Sequence, residues 1–576
     1  MTSEPSARFG DFAFSELFEV AGLQRLDARF LAELDQRDPA LAERLTAYRD
    51  GAALAALELS EFLLALAPVV EEFLARLFGV ESELSAARQA TLSHDAVLEF
   101  RKEFVQKRAR RYRKPITRAF TELDAWLSQR LGAAPDRELA VARYALRWLA
   151  DEAAHADDLE TLTQWTALAL TDPTGQAEVA GWVGFKLPNK VDHAQLVPFQ
   201  RNDAERLERI QGDPRNFRRR DGFTLTDPRM TARAVQGEVH YCIYCHDHDG
   251  DFCSKGFPEK KGQPDLGFKK DPLNVVLTGC PLEEKISEMD SLKRDGRAIA
   301  ALAVAMVDNP MVPATGHRIC NDCMKGCIYQ KQDPVNVPQI ETRVLTDVLE
   351  LPWGVEIYDL LTRWNPLRRE QYLPKPYNGR KVLIAGMGPA GFTMAHHLTL
   401  EGCAVVGIDG LKIEPLPEAL LKQPVRRWVD LVEPLDDRIL YGFGGVAEYG
   451  ITVRWDKNFL KLIYLSLARR PHFQVFGGVR FGGTVTVEDA WSLGFDHVCI
   501  ATGAGYPRVI HVGGSLARGM RQANDFLMAL QLTGAGKASS LANLQVRLPA
   551  VVIGGGLTGV DTATEVQAYY IKQVEK

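Results

Sequence analysis

The stretch that decides the fold of the C-terminal part of the chain is KVLIAGMGPAG, residues 381–391. A short apolar run typical of a buried strand leads into a glycine-rich turn that opens a helix. Gly386 permits the tight turn, Gly388 lets the backbone approach a pyrophosphate, and Gly391 lets the helix pack on the strand. The free amides and the helix dipole at this point favour binding of phosphates.

A second apolar strand, residues 404–408, ends at Asp409, about twenty residues after the turn. A carboxylate at this position can accept hydrogen bonds from ribose hydroxyls. The order strand, turn, helix, strand predicts a doubly wound, Rossmann-type parallel sheet. A tight turn without a ligand is the alternative, and the flanking strands and the terminal acid favour the nucleotide site.

The same arrangement recurs in AVVIGGGLTG, residues 550–559, where Gly554, Gly556 and Gly559 predict a second nucleotide site. The sequence stops at Lys576, before a second strand and its acid. We therefore expect only the start of this domain, with the chain being a fragment of a longer polypeptide or completed by another chain. A fragment is favoured, since one strand and one helix leave apolar surface uncovered.

Seven of the nine cysteines lie within residues 242–327. They are Cys242, Cys245, Cys253, Cys280, Cys320, Cys323 and Cys327. In a reducing compartment such clusters are more typical of metal ligands than of disulfides. An iron–sulfur cubane takes four thiolates, or three and a substitute, so seven are one short of two cubanes. Structural zinc is the alternative; the neighbouring redox-nucleotide fold favours iron–sulfur.

Residues 241–346 resemble the two-cluster N-terminal domain of the glutamate synthase small subunit and of dihydropyrimidine dehydrogenase. The resemblance rests on the cysteine pattern together with CPLEEKI at 280–286, GHRIC at 316–320 and VNVPQIE at 335–341. It implies two [4Fe–4S] clusters with interleaved ligands. One cluster would be held by Cys242, Cys245, Cys253 and Cys327, and the other by Cys280, Cys320, Cys323 and Glu341.

Two features depart from this family. The gap between Cys245 and Cys253 is longer than usual, and residues 254–279 are inserted before the next cysteine. His246 and His248, which lie in the gap, are therefore alternatives to Cys253 as a ligand.

The GMGPAG turn is similar to the FAD site of flavoprotein reductases with two dinucleotide-binding domains. Two later segments are similar to the same family: GGVAEYGI at 444–451 and IATGA at 500–504. The resemblance implies that these segments border the isoalloxazine and the crossover to a second domain, which would bind NADPH or NADH. The residues expected to bind FAD are Gly386, Gly388, Pro389, Ala390, Gly391, Asp409, Gly444, Gly445, Thr502 and Gly503.

Residues 1–225 are rich in Ala, Leu, Glu and Arg at helical spacing and indicate a helical bundle. The basic segment 101–118 is either a surface for nucleic acid or an acidic partner, or a solvated helix face, and the second is favoured. A net charge of −6 argues against nucleic-acid binding. The apolar run 62–70 is too short to span a bilayer, so we expect a soluble cytoplasmic protein.

The predicted organisation has four parts. Residues 1–225 form an all-helical domain of unknown role, 226–375 a helical two-cluster domain, 376–545 an FAD domain and 546–576 the start of an NAD(P) domain. The predicted function is an NAD(P)H-dependent oxidoreductase that passes electrons through FAD and clusters to a partner protein or subunit. The alternatives are ferredoxin or a quinone as acceptor, or a non-catalytic zinc-binding scaffold. No catalytic acid or base is predicted.

Overall fold

A computed structural model of the protein describes residues 7–201, 210–214, 217, 222–225, 228–248, 250–316, 319–435, 442–450, 455–504 and 506–576. The structure is multidomain, with helices in the first two-thirds and a parallel sheet in the last third.

The N-terminal region is helical, as predicted, apart from two short antiparallel strand pairs. Its helices are α1 (Val20–Arg37), α2 (Pro39–Arg49), α3 (Ala56–Phe78), α4 (Glu81–Leu92), α5 (Asp95–Phe100), α6 (Phe120–Leu131), α7 (Arg137–Ala150), α8 (Ala156–Thr171) and α9 (Pro173–Glu178). The strands are β1 (Arg8–Phe9) with β2 (Phe12–Ala13), and β3 (Phe199–Arg201) with β4 (Ile210–Gly212).

Two hydrophobic cores divide these helices. The apolar faces of α1 to α4 join one large core that continues through the cysteine-rich region and into the sheet domain. Residues 97–183 instead pack around a separate core of their own, which includes the fully buried Trp165. The N-terminal helices up to α4 therefore support the cysteine-rich region directly.

The basic segment 101–118 lies in this second core region. Lys107 forms an ion pair with Glu103, and Arg108 with Glu152. Arg101 is buried and donates a hydrogen bond to the carbonyl of Gly237 at 3.0 Å. These contacts are those of a helical segment whose charges are met by neighbouring acids.

The cysteine-rich region is built from short helices. They are α10 (Ala232–Val239), α11 (Phe252–Lys255), α12 (Ile286–Arg294), α13 (Ala298–Asp308), α14 (Asp322–Lys325), α15 (Val337–Leu349) and α16 (Gly354–Arg363). The break between α12 and α13 falls at Gly296, which adopts a φ of +70°. Helix α13 is apolar on every side and is buried along almost its whole length.

The nucleotide-binding region contains a four-stranded parallel sheet, which confirms the predicted Rossmann-type architecture. Its strands are β5 (Lys381–Ala385), β6 (Ala404–Asp409), β7 (Phe473–Gly477) and β8 (His497–Ile500), in the order β7-β6-β5-β8. The helices are α17 (Pro389–Leu400), α18 (Glu418–Lys422), α19 (Val446–Tyr449), α20 (Phe459–Ala468), α21 (Val487–Ser492), α22 (Ala523–Leu532) and α23 (Leu557–Glu575).

A buried ion-pair network ties this sheet domain to the cysteine-rich region. Arg469, at the end of α20, contacts Glu356 at 2.8 Å and Asp359 at 3.0 Å, both on α16. All three side chains are almost fully buried. Removing one partner of such a buried pair leaves an uncompensated charge, so the network holds the two regions in one arrangement.

The second glycine-rich turn departs from its prediction. Helix α23 forms, but residues 550–553 are not a strand, and Val551 and Ile553 are 84% and 59% exposed. A single strand has no ladder hydrogen bonds to make, and no described segment pairs with this one.

Within the part of the chain that the structure describes, no helix is long and apolar enough to cross a membrane.

Candidate functional site

Four of the predicted cysteine ligands meet in one cavity. Cys242 follows α10, Cys245 lies in the next turn, Cys253 lies on α11, and Cys327 follows α14. All four line the same cavity, whose other walls include Ile286, Asp290 and Tyr329. We call these four cysteines the first set; the structure brings them together although they come from three separate segments of the chain.

The thiols of the first set are surrounded by apolar groups and by each other. Burial, together with the charge of the nearby Cys327, raises the pKa of Cys245 to about 11. Burial also raises the pKa of Cys253, together with the charges of Asp251 and Cys242. Such thiols hold negative charge only when a cation compensates it, which fits soft metal ligands that deprotonate on metal binding.

The two histidines proposed as alternatives to Cys253 lie elsewhere. The Nδ1 atom of His246 is 2.6 Å from the hydroxyl of Ser287, and its Nε2 atom is 3.2 Å from a carboxylate oxygen of Asp247. His248 is exposed. Because Cys253 lines the cavity and neither histidine does, the geometry favours the cysteine.

The remaining predicted ligands also come together. Burial raises the pKa of Cys323, and the charges of Glu341, Cys280 and Cys320 raise it further. Burial also raises the pKa of Cys280 and that of Cys320, and the charge of Glu341 contributes to both shifts. We call Cys280, Cys320, Cys323 and Glu341 the second set. One oxygen of Glu341 accepts hydrogen bonds from Thr315 and from Asn309.

Two buried acids beside these sets were missed by sequence reasoning. Glu284 is 3% exposed, and its pKa is raised by burial and by the charge of Glu341. Asp290 is fully buried in the wall of the first cavity, and burial raises its pKa to about 8. Two features of the sequence could have drawn attention to them. Glu284 lies within the motif CPLEEKI, and Asp290 lies on the apolar face of α12, next to Met289.

Part of the motif evidence lies outside the described residues. His317 and Arg318 of GHRIC, and Ile451 of GGVAEYGI, are in this group. Among the residues that are described, no three His, Cys, Asp or Glu side chains are close enough to hold a single metal ion.

The first glycine-rich turn connects β5 to α17 at the carboxyl edge of the sheet. Gly386 has a φ of +103°, and a Cβ there would lie 2.3 Å from the carbonyl oxygen of Ala501. A Cβ on Gly391 would lie 1.9 Å from the carbonyl oxygen of Gly386. Pro389 and Ala390 are exposed at the start of α17. The turn is therefore closed toward the protein and open at the helix N-terminus, as a phosphate site requires.

Asp409 ends β6 next to this turn. One of its carboxylate oxygens accepts a hydrogen bond from the amide of Met387 at 2.8 Å, and the other accepts from Leu411 at 2.9 Å. Asp409 therefore fixes the turn, and its carboxylate keeps lone pairs that can accept further hydrogen bonds.

The two later segments reach the same place. Gly444 donates its amide to the carbonyl of Met387 at 3.0 Å, and a Cβ on Gly445 would lie 3.0 Å from the Cα of Gly388. Thr502 and Gly503, which follow β8, are exposed beside Gly386. The predicted FAD residues thus converge at the carboxyl ends of the strands, where open parallel sheets bind ligands.

The second turn repeats the local geometry without the sheet. Gly554 has a φ of +134°, and a Cβ on Gly559 would lie 2.5 Å from the Gly554 carbonyl oxygen. No other atom lies within 4 Å of a Cβ built on Gly554 or on Gly556. The turn therefore has the backbone shape of a nucleotide site, but no neighbouring segment packs against Gly554 and Gly556 as Ala501 does against Gly386.

Comparison with protein families identifies two parts of the chain. Residues 380–575 match the pyridine nucleotide-disulphide oxidoreductase family. This segment contains both glycine-rich turns and the parallel sheet. Residues 8–79 match the RP005 N-terminal alpha-helical domain, which corresponds to the helices up to α3.

Three curated proteins illustrate the range of similarity. Protein RP006 of Rickettsia prowazekii is 52% identical over 46% of this chain and 38% of its own length. Protein RP005 of the same organism is 28% identical over 49% of this chain and 96% of its own length. The glutamate synthase [NADPH] small chain of Mycobacterium tuberculosis is 27% identical, over 49% of this chain and half of that protein. The family match and the similarity to the glutamate synthase small chain support a redox role for the chain.

Proposed function

We propose that the protein is an NAD(P)H-dependent oxidoreductase that passes electrons through FAD and two [4Fe–4S] clusters to a partner protein or subunit. The observation that carries the proposal is that Cys242, Cys245, Cys253 and Cys327 line one cavity, in a chain whose residues 380–575 match the pyridine nucleotide-disulphide oxidoreductase family. When bound, FAD would exchange hydride for single electrons, which the clusters would carry one at a time.

In this proposal the residues of the chain hold and orient the groups. The first set would bind one cluster and the second set the other, with Asn309 and Thr315 orienting the Glu341 carboxylate. The turn at 386–391 would bind the FAD pyrophosphate, and Asp409 would hold the turn in shape. The turn at 554–559 would bind the phosphates of NADH or NADPH.

The acceptor is proposed from the relatives. The similarity to a glutamate synthase small chain favours a partner subunit, and ferredoxin or a quinone is the alternative acceptor.

The proposed location is the cytoplasm, where thiols are kept reduced, since none of the nine cysteines forms a disulfide. A zinc-binding scaffold is the alternative of another class.

The first test is to prepare the protein without oxygen and to measure FAD, iron and acid-labile sulfide. We expect one FAD and about eight iron atoms per chain, as two cubanes require. Zinc without iron or sulfide would overturn the proposal in favour of the scaffold.

Ligand grouping is tested by cysteine variants. Cys320→Ala should remove the iron of the second set, about half of the total, and leave FAD and the first cluster bound. Cys253→Ala should remove the other half. Cys403→Ala, a change at a buried cysteine outside both sets, is the matched control and should keep all the iron. Loss of all the iron in Cys320→Ala with an intact control would contradict the grouping.

A further inference from the structure

The residues between the two cysteine sets form an ordered projection, which we call the arm (residues 256–279). We propose that the arm is the docking surface for an acidic electron-accepting protein. This inference rests on the proposed function and specifies the kind of partner that takes the electrons.

The base of the arm is fastened to one ligand of each set. The amide of Cys280 donates to the carbonyl of Cys253 at 2.9 Å. Gly256 and Gly279 adopt φ values of +79° and +74°, and a Cβ on Gly279 would lie 2.4 Å from the Gly256 nitrogen. The insertion therefore leaves and re-enters the fold at one closed point, without separating the two sets.

The arm itself is held by backbone hydrogen bonds. Phe257 donates to Leu277, Lys269 donates to Phe257, and Leu277 donates to Lys269, all at 2.9–3.0 Å. The ring of Phe257 stacks on Phe252, next to Cys253, with a centroid distance of 4.2 Å. At the tip, Asp271 accepts from the amides of two residues of the turn at 2.8 Å. Such an arm presents a defined surface.

That surface is apolar and is exposed. Five large hydrophobic side chains of the arm are between 37% and 57% exposed, a dense concentration for so short a segment. They are Leu266, Phe268, Leu273, Val275 and Val276. Leu282, just beyond the base and beside the second set, adds to the patch with 48% exposure.

The charge of the arm selects an acidic partner. It contains four lysines against three acids, and one of the acids, Asp271, is occupied by backbone amides. Among the described residues, Lys260, Lys269 and Lys270 are exposed and form no ion pair. The whole chain carries a net charge of −6, and against it the unpaired lysines of the arm give a local positive surface that an acidic partner can approach.

The position of the arm suits electron transfer. Cys280 and Cys320 are the part-exposed thiols of the second set, whereas Cys323 is buried. A protein seated on the arm lies against Cys280, which forms its base. The exposed acids Glu259 and Asp265 lie among the lysines of the arm. They would be repelled by a uniformly anionic membrane, whereas a protein surface with charges of both signs can accommodate them.

The test uses a plant-type [2Fe–2S] ferredoxin as the acidic protein probe and the holoprotein. The arm variant Lys260→Glu/Lys269→Glu/Lys270→Glu is compared with Arg110→Glu/Arg111→Glu/Arg113→Glu, which makes the same charge change on exposed residues of the helical region. We expect the arm variant to bind ferredoxin at least tenfold more weakly at low salt, with the control within twofold of wild type. Leu273→Ser/Val276→Ser should weaken binding at both low and high salt.

Iron content and thermal unfolding establish that each variant is folded, and reduction of a small dye by NAD(P)H tests the proposed function separately. Dye reduction without ferredoxin binding by the wild type, or equal loss in the arm and control variants, overturns the docking proposal alone. So does arm-dependent binding of vesicles containing phosphatidylserine, or arm-dependent self-association, in place of ferredoxin binding. Failure of dye reduction in iron-loaded wild type overturns the proposed function instead.

Discussion

The two glycine-rich turns, residues 386–391 and 554–559, are alike in local geometry. In each, a Cβ on the last glycine would approach the carbonyl oxygen of the first, at 1.9 Å for Gly391 and 2.5 Å for Gly559. In each, a helix begins directly after the turn. The local sequence is therefore sufficient to produce the turn and the helix.

The surroundings of the two turns differ. The strand before the first turn is buried between β6 and β8, with Ile384 fully buried. The residues before the second turn form no strand, and Ile553 is 59% exposed. A strand needs neighbours to accept and donate its ladder hydrogen bonds, whereas a helix satisfies its own backbone. The comparison separates what a motif encodes from what its neighbours supply.

Removing the apolar side chain before each turn should give the largest contrast. Ile384→Ala leaves a cavity in the sheet core and should lower the free energy of unfolding by about 2–5 kcal/mol. Ile553→Ala, on an exposed segment, should change it by less than about 0.5 kcal/mol. Urea unfolding of both variants checks this prediction. Similar losses would mean that residues 550–553 are packed in solution.

Adding a methyl group to the last glycine of each turn should have a smaller effect and should separate the two nucleotides. In Gly391→Ala, backbone must shift away from the new Cβ, at a cost of about 1–3 kcal/mol and with loss of FAD. Gly559→Ala should spare FAD and weaken NAD(P)H binding. FAD absorbance and titration with NAD(P)H measure both. Gly212→Ala is the control, because Gly212 lies outside both turns and its Cβ would meet nothing within 4 Å.

The smallest effect is expected at Asp409, the acid that accepts hydrogen bonds from the first turn. In Asp409→Asn, one side-chain oxygen can still accept a hydrogen bond from a backbone amide. The other carboxylate oxygen is replaced by an NH₂ group, which cannot accept from the second backbone amide. A mismatched hydrogen bond of this kind should weaken FAD binding about tenfold, or about 1.4 kcal/mol. Equilibrium dialysis of FAD measures the change. Unaltered affinity would show that Asp409 contributes neither to the turn nor to the ribose.

The cysteine sets, like the two turns, could be predicted from the sequence only where neighbouring residues define them. Close pairs such as Cys320 and Cys323 are evident from spacing, but the grouping of Cys327 with Cys242 follows only from the family resemblance. Glu284 and Asp290 could not be selected from sequence, because what marks them is burial beside the thiols. The insertion itself is evident from the family resemblance. The backbone hydrogen bonds within it could not be predicted, because its segments lack the alternating apolar pattern of strands.

By itself, the sequence determined where the helices, the glycine turns and the candidate ligands lie, because backbone preference and apolar spacing act over a few neighbouring residues. Only the tertiary structure decided which strands exist, which cysteines share a cavity and which acids are buried. Strand pairing and desolvation of charge depend on groups that are distant in the chain, and no local pattern contains them.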